Sequence, residues 1–399
     1  MKKICISIVS DKPVPAVNGG AIETLLQSLI DMNEIYHKYE FVILTIFSKK
    51  IDYSKYKYTK FITIPDWILG LNKVYWKIVG LVRKIFKFEL IAPIQKYYEY
   101  FYLKKNYKKF DYIIEETDLC VFSRLYKKMN KNLIYHLHYE GKPTEKKDKC
   151  FNYLMSTSEF IGKNWKEKTN RSDNTIYKLC NCIDFSIFNK TLKKNEKKKM
   201  LKELNINEKD FVAIFIGRII PEKGVLELLK AVENVNKENF SLLLIGSSNF
   251  NNKTSTDYEK KVKELIKKMK KNVVQVGYVD NKDLYKYQNI ADFAIVPSLC
   301  EEAAGLVVLE AQAAKLPVIA SKVGGIPEFL LPNMGILVNV TDNYIQDLSH
   351  SIEDMIDLID NFKFSDESYQ HFQNKFNLTK YYFRFDEIIN EIDRNNKKE

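Results

Sequence analysis

The run FAIVPSLCEEAAGLVVLEAQAAKLPVIAS, Phe293 to Ser321, leaves this chain few folds to choose from. Phe293 to Val296 is apolar throughout and reads as a strand. A short loop follows, then a helix opening near Gly305, then Pro317 and a second apolar strand, which together make a strand–helix–strand unit. The helix is apolar nearly all round (Leu306, Val307, Val308, Leu309, Ala311, Ala313, Ala314), so it is expected to be buried. Glu302 and Glu310 stand eight residues apart in this setting, and between Ala303 and Ser321 the only charged side chains are Glu310 and Lys315. A carboxylate in such a helix is costly unless something pairs with it. One reading is a structural ion pair or a cap. The other is a ligand site, because backbone N–H groups at a helix start point at anions, and Ala303, Ala304 and Gly305 are small enough to let one approach.

The same alternation of strands and helices runs through the chain. Strands are expected at 4–9, 41–46, 61–64, near Asp111–Glu116 and in Asn132–Gly141, where the strand runs into a loop, and again at 211–216, 242–245 and 273–276. At 399 residues, with 45% apolar content, two domains are expected. The lysine-rich polar run from Asn189 to Lys202 marks the region of their boundary. The six cysteines are spread singly apart from Cys180 and Cys182, which supports neither a zinc site nor a disulfide framework and suits a reducing compartment. The N-terminal apolar run is too short for a signal peptide, and no run approaches the ~20 apolar residues of a membrane span, so a cytoplasmic, soluble or peripheral protein is expected.

The net charge of +12 draws nucleic acid, anionic lipid and anionic substrates alike. Residues 71–110 hold ten Lys or Arg, among them Lys104, Lys105, Lys108 and Lys109, against Glu89 and Glu99, with aromatics interleaved. An anionic membrane surface at 71–110 is one expected partner, and a helix pair whose aromatics face the core is the alternative. No motif supports nucleic-acid binding.

Several strand ends carry ligand-type residues. Gly19 and Gly20 open a helix after the first strand, in a loop that is either a plain turn or a close approach to a ligand. His136 and His138 share one side of a strand, with no third metal ligand visible at a suitable spacing. Arg218 and Lys223 follow a buried strand among glycines, a place for a diphosphate if they are not merely solvated cations. No Asp-x-Asp occurs, so the usual carboxylate site for a divalent cation is missing and no metal is expected.

Glu302-Ala-Ala-Gly305-Leu306-Val-Val-Leu-Glu310-Ala311 resembles the Glu-x7-Glu signature of glycosyltransferase family 4, retaining enzymes of the GT-B fold; it departs at Ala304, where the family often has Phe. Gly217-Arg218 through Lys223-Gly224 is similar to the family's diphosphate-binding block. Lys178 to Phe188 is similar to its hinge, with Cys180 and Cys182 where Pro and Gly are usual. The resemblance implies an α/β protein with two Rossmann-like domains facing a cleft and a C-terminal helix crossing back to the first. The implied divisions are 1–185 on the acceptor side, 186–375 for the nucleotide-sugar and 376–399 for the returning helix. It further implies a metal-independent, retaining hexosyltransferase that uses a nucleotide-sugar, UDP-linked, as donor substrate and no cofactor. The acceptor would be a saccharide or lipid-linked saccharide of cell-surface polysaccharide synthesis, met at the inner face of the membrane. By the same resemblance Arg218 and Lys223 hold the diphosphate, and Glu302 with Ala304, Gly305 and Leu306 holds the donor sugar. Glu310 takes the ribose, Tyr278 and Val279 lie by the base, His138 contacts the sugar, and Gly19 and Gly20 line the loop near phosphate and acceptor. An epimerase or glycoside phosphorylase on the same fold, or a non-catalytic partner subunit, are the alternatives.

Overall fold

A computed structural model describes residues 1–10, 12–17, 19–65, 67–71, 74–75, 77, 79, 93–117, 132–139, 143–248, 256–362 and 365–397. The chain divides into two compact units, Met1–Cys182 with Leu378–Glu399, and Ile183–Asn377.

The first unit is built on a parallel sheet of β1 (Lys2–Ser7), β2 (Tyr39–Ile46), β3 (Thr59–Ile64), β4 (Tyr112–Glu115), β5 (Leu133–Leu137), β6 (Tyr153–Ser156) and β7 (Ile176–Lys178), in the order β3-β2-β1-β4-β5-β6-β7. The order reverses between β1 and β4, where Ser7 pairs with Glu115. In open parallel sheets a crevice forms at the carboxyl ends of the strands at such a reversal.

The last helix of the chain, Leu378–Asn396, belongs to this unit, as expected. It buries Tyr381, Tyr382, Phe385, Ile388, Ile389 and Ile392 in the same core as Ile4, Leu26 and Phe41. Each such side chain contributes about 1.5–3 kcal/mol on burial. Polar contacts fix the register: Tyr382 Oη donates to Asn33 Oδ1 at 2.8 Å and Tyr39 Oη to Asp386 Oδ1 at 2.7 Å.

Of the basic and aromatic run 71–110, residues 72, 73, 76, 78 and 80–92 lie outside the described residues. The helix Ile94–Asn106 departs from the expectation that aromatics face the core. Its buried face carries Gln95, Lys96, Glu99 and Leu103 rather than aromatics, and Phe101 is 62% exposed. The reason is a buried ion network: Lys96 Nζ lies 3.3 Å from Glu99 and 3.8 Å from Glu115 at the end of β4. Among the described residues no helix is long and apolar enough to cross a membrane.

The second unit repeats the plan with β8 (Phe211–Ile216), β9 (Phe240–Ile245), β10 (Asn272–Gly277), β11 (Phe293–Val296), β12 (Val318–Ser321) and β13 (Gly335–Val338), ordered β10-β9-β8-β11-β12-β13 and parallel throughout. Alternate residues feed two cores. Ala213, Phe215, Leu242, Leu244, Phe293 and Ile295 face one side, and Val212, Ile214, Leu243, Ile245, Ala294 and Val296 the other. Strands buried on both faces read as unbroken apolar runs, which is how they stand in the sequence. The lysine-rich run after Asn189 is a surface helix of this unit, Lys194–Glu203, with Met200 and Leu201 packed inward.

Candidate functional site

The second sheet reverses its order between β8 and β11, and the loops that follow these two strands are bound together. Leu299 N donates to Glu222 O at 2.9 Å. Gly224 sits at φ 64°, and a Cβ there would lie 2.0 Å from Pro297 O, so only glycine lets the two backbones approach this closely. Lys223 Nζ pairs with Glu302 Oε1, which also accepts from Ser298 Oγ at 2.6 Å. Arg218, on the same loop as Lys223, is exposed, and among the described residues no hydrogen bond or ion pair engages its guanidinium. A third loop, after β12, closes on the far side of Glu302. Gly325 N donates to Glu302 O at 2.7 Å, and a Cβ on Gly324 (φ 55°) would come within 2.4 Å of that oxygen.

Gly305, at φ 49°, starts the helix Leu306–Ala313, and Ala304 is buried beside it. At the other end Lys315 adopts φ 61°, Lys315 N donates to Gln312 O at 2.9 Å and Leu316 N to Ala311 O at 2.9 Å. That is a Schellman closure with lysine in the place glycine usually takes. The buried Gln312 ties the helix to the following segment, donating to Phe329 O at 2.8 Å and accepting from Leu331 N at 3.0 Å. The helix is therefore held at both ends and along its side, and it carries Glu310 as a fixed group.

Glu310 has no side-chain partner among the described residues. A part of its surface meets solvent, but packed atoms surround it, and burial pushes its carboxyl from 4.5 up to about 7. The folded protein thus keeps a proton that the unfolded chain loses first. This group's contribution to stability is present below pH 4.5 and is lost as pH rises to about 7. Glu310→Gln should therefore be the more stable form at pH 8, by about 1–3 kcal/mol, with the difference shrinking towards pH 4. Thermal melts of both proteins across that range measure it, and a difference that does not change with pH would contradict this account of Glu310.

Tyr278 and Val279 lie in the loop after β10. Tyr278 is 46% exposed, and Val279 packs partly against the core. The second unit thus carries Arg218, Lys223, Glu302, Ala304 and Gly305 on the loops that follow β8 and β11, and Leu306 and Glu310 on the helix after the second of these, with Tyr278 and Val279 on the same edge of the sheet.

Gly19, Gly20 and His138 belong to the carboxyl edge of the first sheet. The glycines immediately precede the helix Ala21–Tyr36, in a loop where Ser10 Oγ donates to Glu23 Oε1 at 2.8 Å. His138 follows β5 directly, while Glu140 and Gly141 beyond it are outside the described residues. The sequence shows no third partner for the two histidines, but the structure supplies one in Glu116. Its Oε2 lies 3.0 Å from His136 Nδ1 and accepts a hydrogen bond from His138 Nε2. Burial alone would raise the Glu116 carboxyl, but the facing imidazoles outweigh it and hold it below the carboxylate range. Burial, and then the neighbouring His136, lower His138 to about 4, against the pull of Glu116.

Glu116 escaped the sequence reading because only the pairing of β4 with β5 brings it near. The signal that existed was an acid pair ending one strand and histidines ending the next. Ser298 also escaped, although it stands four residues before the carboxylate it serves.

Residues 196–371 match the family described as Glycosyl transferases group 1. The lipopolysaccharide 1,2-N-acetylglucosaminetransferase of Salmonella typhimurium is 32% identical over 205 residues, 51% of this chain and 52% of that protein, so the match spans about half of the relative's length. Among solved structures, Anabaena HepE in complex with UDP and glucose aligns with a TM-score of 0.70 at 17% identity, over 98% of this chain and 100% of that one. A glycosyltransferase from Rickettsia africae aligns with a TM-score of 0.73 at 18% identity, over 98% of each chain. At these identities the structural likeness shows the fold, two Rossmann-like parallel-sheet units of the GT-B type.

Proposed function

We propose that this chain, whose residues 196–371 form a group 1 glycosyl transferase domain, is a retaining transferase that moves a hexose from a UDP-linked donor to a saccharide or lipid-linked saccharide acceptor. The observation that carries the reading is the Lys223–Glu302 pair, which joins the two loops at the reversal of the second sheet and leaves Arg218 unengaged on one of them. Two cations of different shape stand where strand ends bind phosphate: a planar fork and a compact point charge. The activity of the Salmonella relative and the UDP and glucose bound to HepE support the choice of donor and of a polysaccharide product.

In this reading the bond between the sugar C1 and the β-phosphate oxygen breaks while a bond from C1 to an acceptor hydroxyl oxygen forms on the same face. The acceptor's proton passes to the departing phosphate. Arg218 and Lys223 meet the negative charge that grows on the diphosphate, which is electrostatic stabilisation of the leaving group. Lys223 is already oriented by Glu302, and Glu302 and the N–H groups near Ala304–Leu306 hold donor hydroxyls. Glu310 accepts from the ribose hydroxyls, and Tyr278 and Val279 lie by the base. His138 contacts the sugar, and the loop of Gly19 and Gly20 serves phosphate and acceptor.

Two side-chain cations take the work a divalent ion does elsewhere at a diphosphate. UDP titrated into the protein by calorimetry should therefore bind with the same affinity in chelator as in Mg²⁺. Binding that needs Mg²⁺ would contradict the metal-free reading, and no UDP binding in either buffer would remove the donor assignment. A panel of nucleotide-sugars, read by hydrolysis, then identifies the hexose.

A further inference from the structure

Glu116, which the proposed transfer does not use, is held at the meeting point of two ring nitrogens. It follows β4 directly, and His136 and His138 come from β5 and the residue after it. One ligand atom from each of Glu116, His136 and His138 lies within 4.8 Å of the others, and all three side chains are 5% exposed or less. The centroids of the two rings are 4.0 Å apart.

Both histidines turn a ring nitrogen to the same Glu116 oxygen, so one carboxylate and two imidazoles converge on a single point. A buried carboxylate calls for a cation. Lys96, the ammonium on the same edge of the sheet, is engaged by Glu99 and Glu115. Among the described residues no lysine or arginine pairs with Glu116, whose ion-pair partners are the two imidazoles.

We propose that Glu116 Oε2, His136 Nδ1 and His138 Nε2 bind one divalent first-row transition ion at the carboxyl edge of the first sheet. Two imidazoles with one carboxylate suit Zn²⁺, Co²⁺, Fe²⁺ or Mn²⁺ and do not suit Mg²⁺ or Ca²⁺, which take oxygen ligands. Three protein ligands leave a position open for water or a ligand oxygen. The ion would clamp the end of β4 to the end of β5. It is a separate matter from the diphosphate, whose proposed cations Arg218 and Lys223 are in the other unit, and it shares only His138 with the proposed sugar contacts.

The test is made on full-length protein without a histidine tag, stripped with chelator and titrated with Co²⁺ in the absence of donor and acceptor. It therefore succeeds or fails independently of the transferase reading. The expected result is one equivalent of Co²⁺ bound, with visible ligand-field bands and no near-ultraviolet thiolate band, displaced by Zn²⁺ and not by Mg²⁺. Glu116→Gln should weaken binding at least ~10-fold while keeping the wild-type circular dichroism. If that variant does not fold, His138→Gln is read in the same way. No saturable binding, a thiolate band placing the ion on cysteines, displacement by Mg²⁺, or unchanged affinity in the folded variant would each overturn the proposal; two N–H donors on one carboxylate would then describe the cluster.

Discussion

Arg218→Ala is expected to lower kcat/KM about 100- to 1,000-fold, the usual cost of losing one preorganised donor to developing negative charge. The melting temperature should not move. The two halves of this expectation come from the same observation: the side chain is exposed and engages nothing among the described residues, so its loss removes no contact that holds the fold. The loss should fall mainly on kcat, because charge on the diphosphate oxygens is greatest as the sugar leaves. Arg218→Lys keeps the charge but not the planar fork and should fall between the two. Near-wild-type turnover in the alanine variant would break the assignment of the phosphate site.

Lys223→Ala should damage activity by a similar factor and, unlike Arg218→Ala, should also destabilise the protein. Lys223 and Glu302 are 22% and 18% exposed, so their pair is partly shielded from water. Removing the ammonium leaves the Glu302 carboxylate with the Ser298 hydroxyl as its remaining side-chain donor among the described residues. Fully buried pairs broken on one side cost about 3–5 kcal/mol. With partial exposure, about 1–3 kcal/mol is the reasonable scale. The double variant with Glu302→Gln removes the stranded charge, so it should recover much of the stability and none of the turnover. Recovery of turnover in the double variant would mean that Lys223 acts only as a structural partner of Glu302.

What could be read from the sequence, and what could not, follows from range. Phe211–Ile216 was legible to the residue because a strand buried on both faces is apolar without interruption. The loops of Arg218 and Glu302 were legible as candidates because each directly follows such a strand. Their union was not, since Lys223 and Glu302 are 79 residues apart and only the pairing of β8 with β11 brings them together. The buried Lys96 of the helix Ile94–Asn106 was hidden for the same reason: its partner Glu115 comes from β4. Glu116 needed the neighbouring strand β5 to acquire its histidines. In each case the side chain and its spacing were visible, and the strand order that supplied the partner was not.

The most direct measurement is a crystal structure of the protein with UDP. Diphosphate oxygens are expected within hydrogen-bonding distance of the Arg218 guanidinium and Lys223 Nζ, and ribose hydroxyls on the Glu310 carboxylate. UDP bound elsewhere, or bound with Arg218 and Glu310 both out of contact, would contradict these assignments.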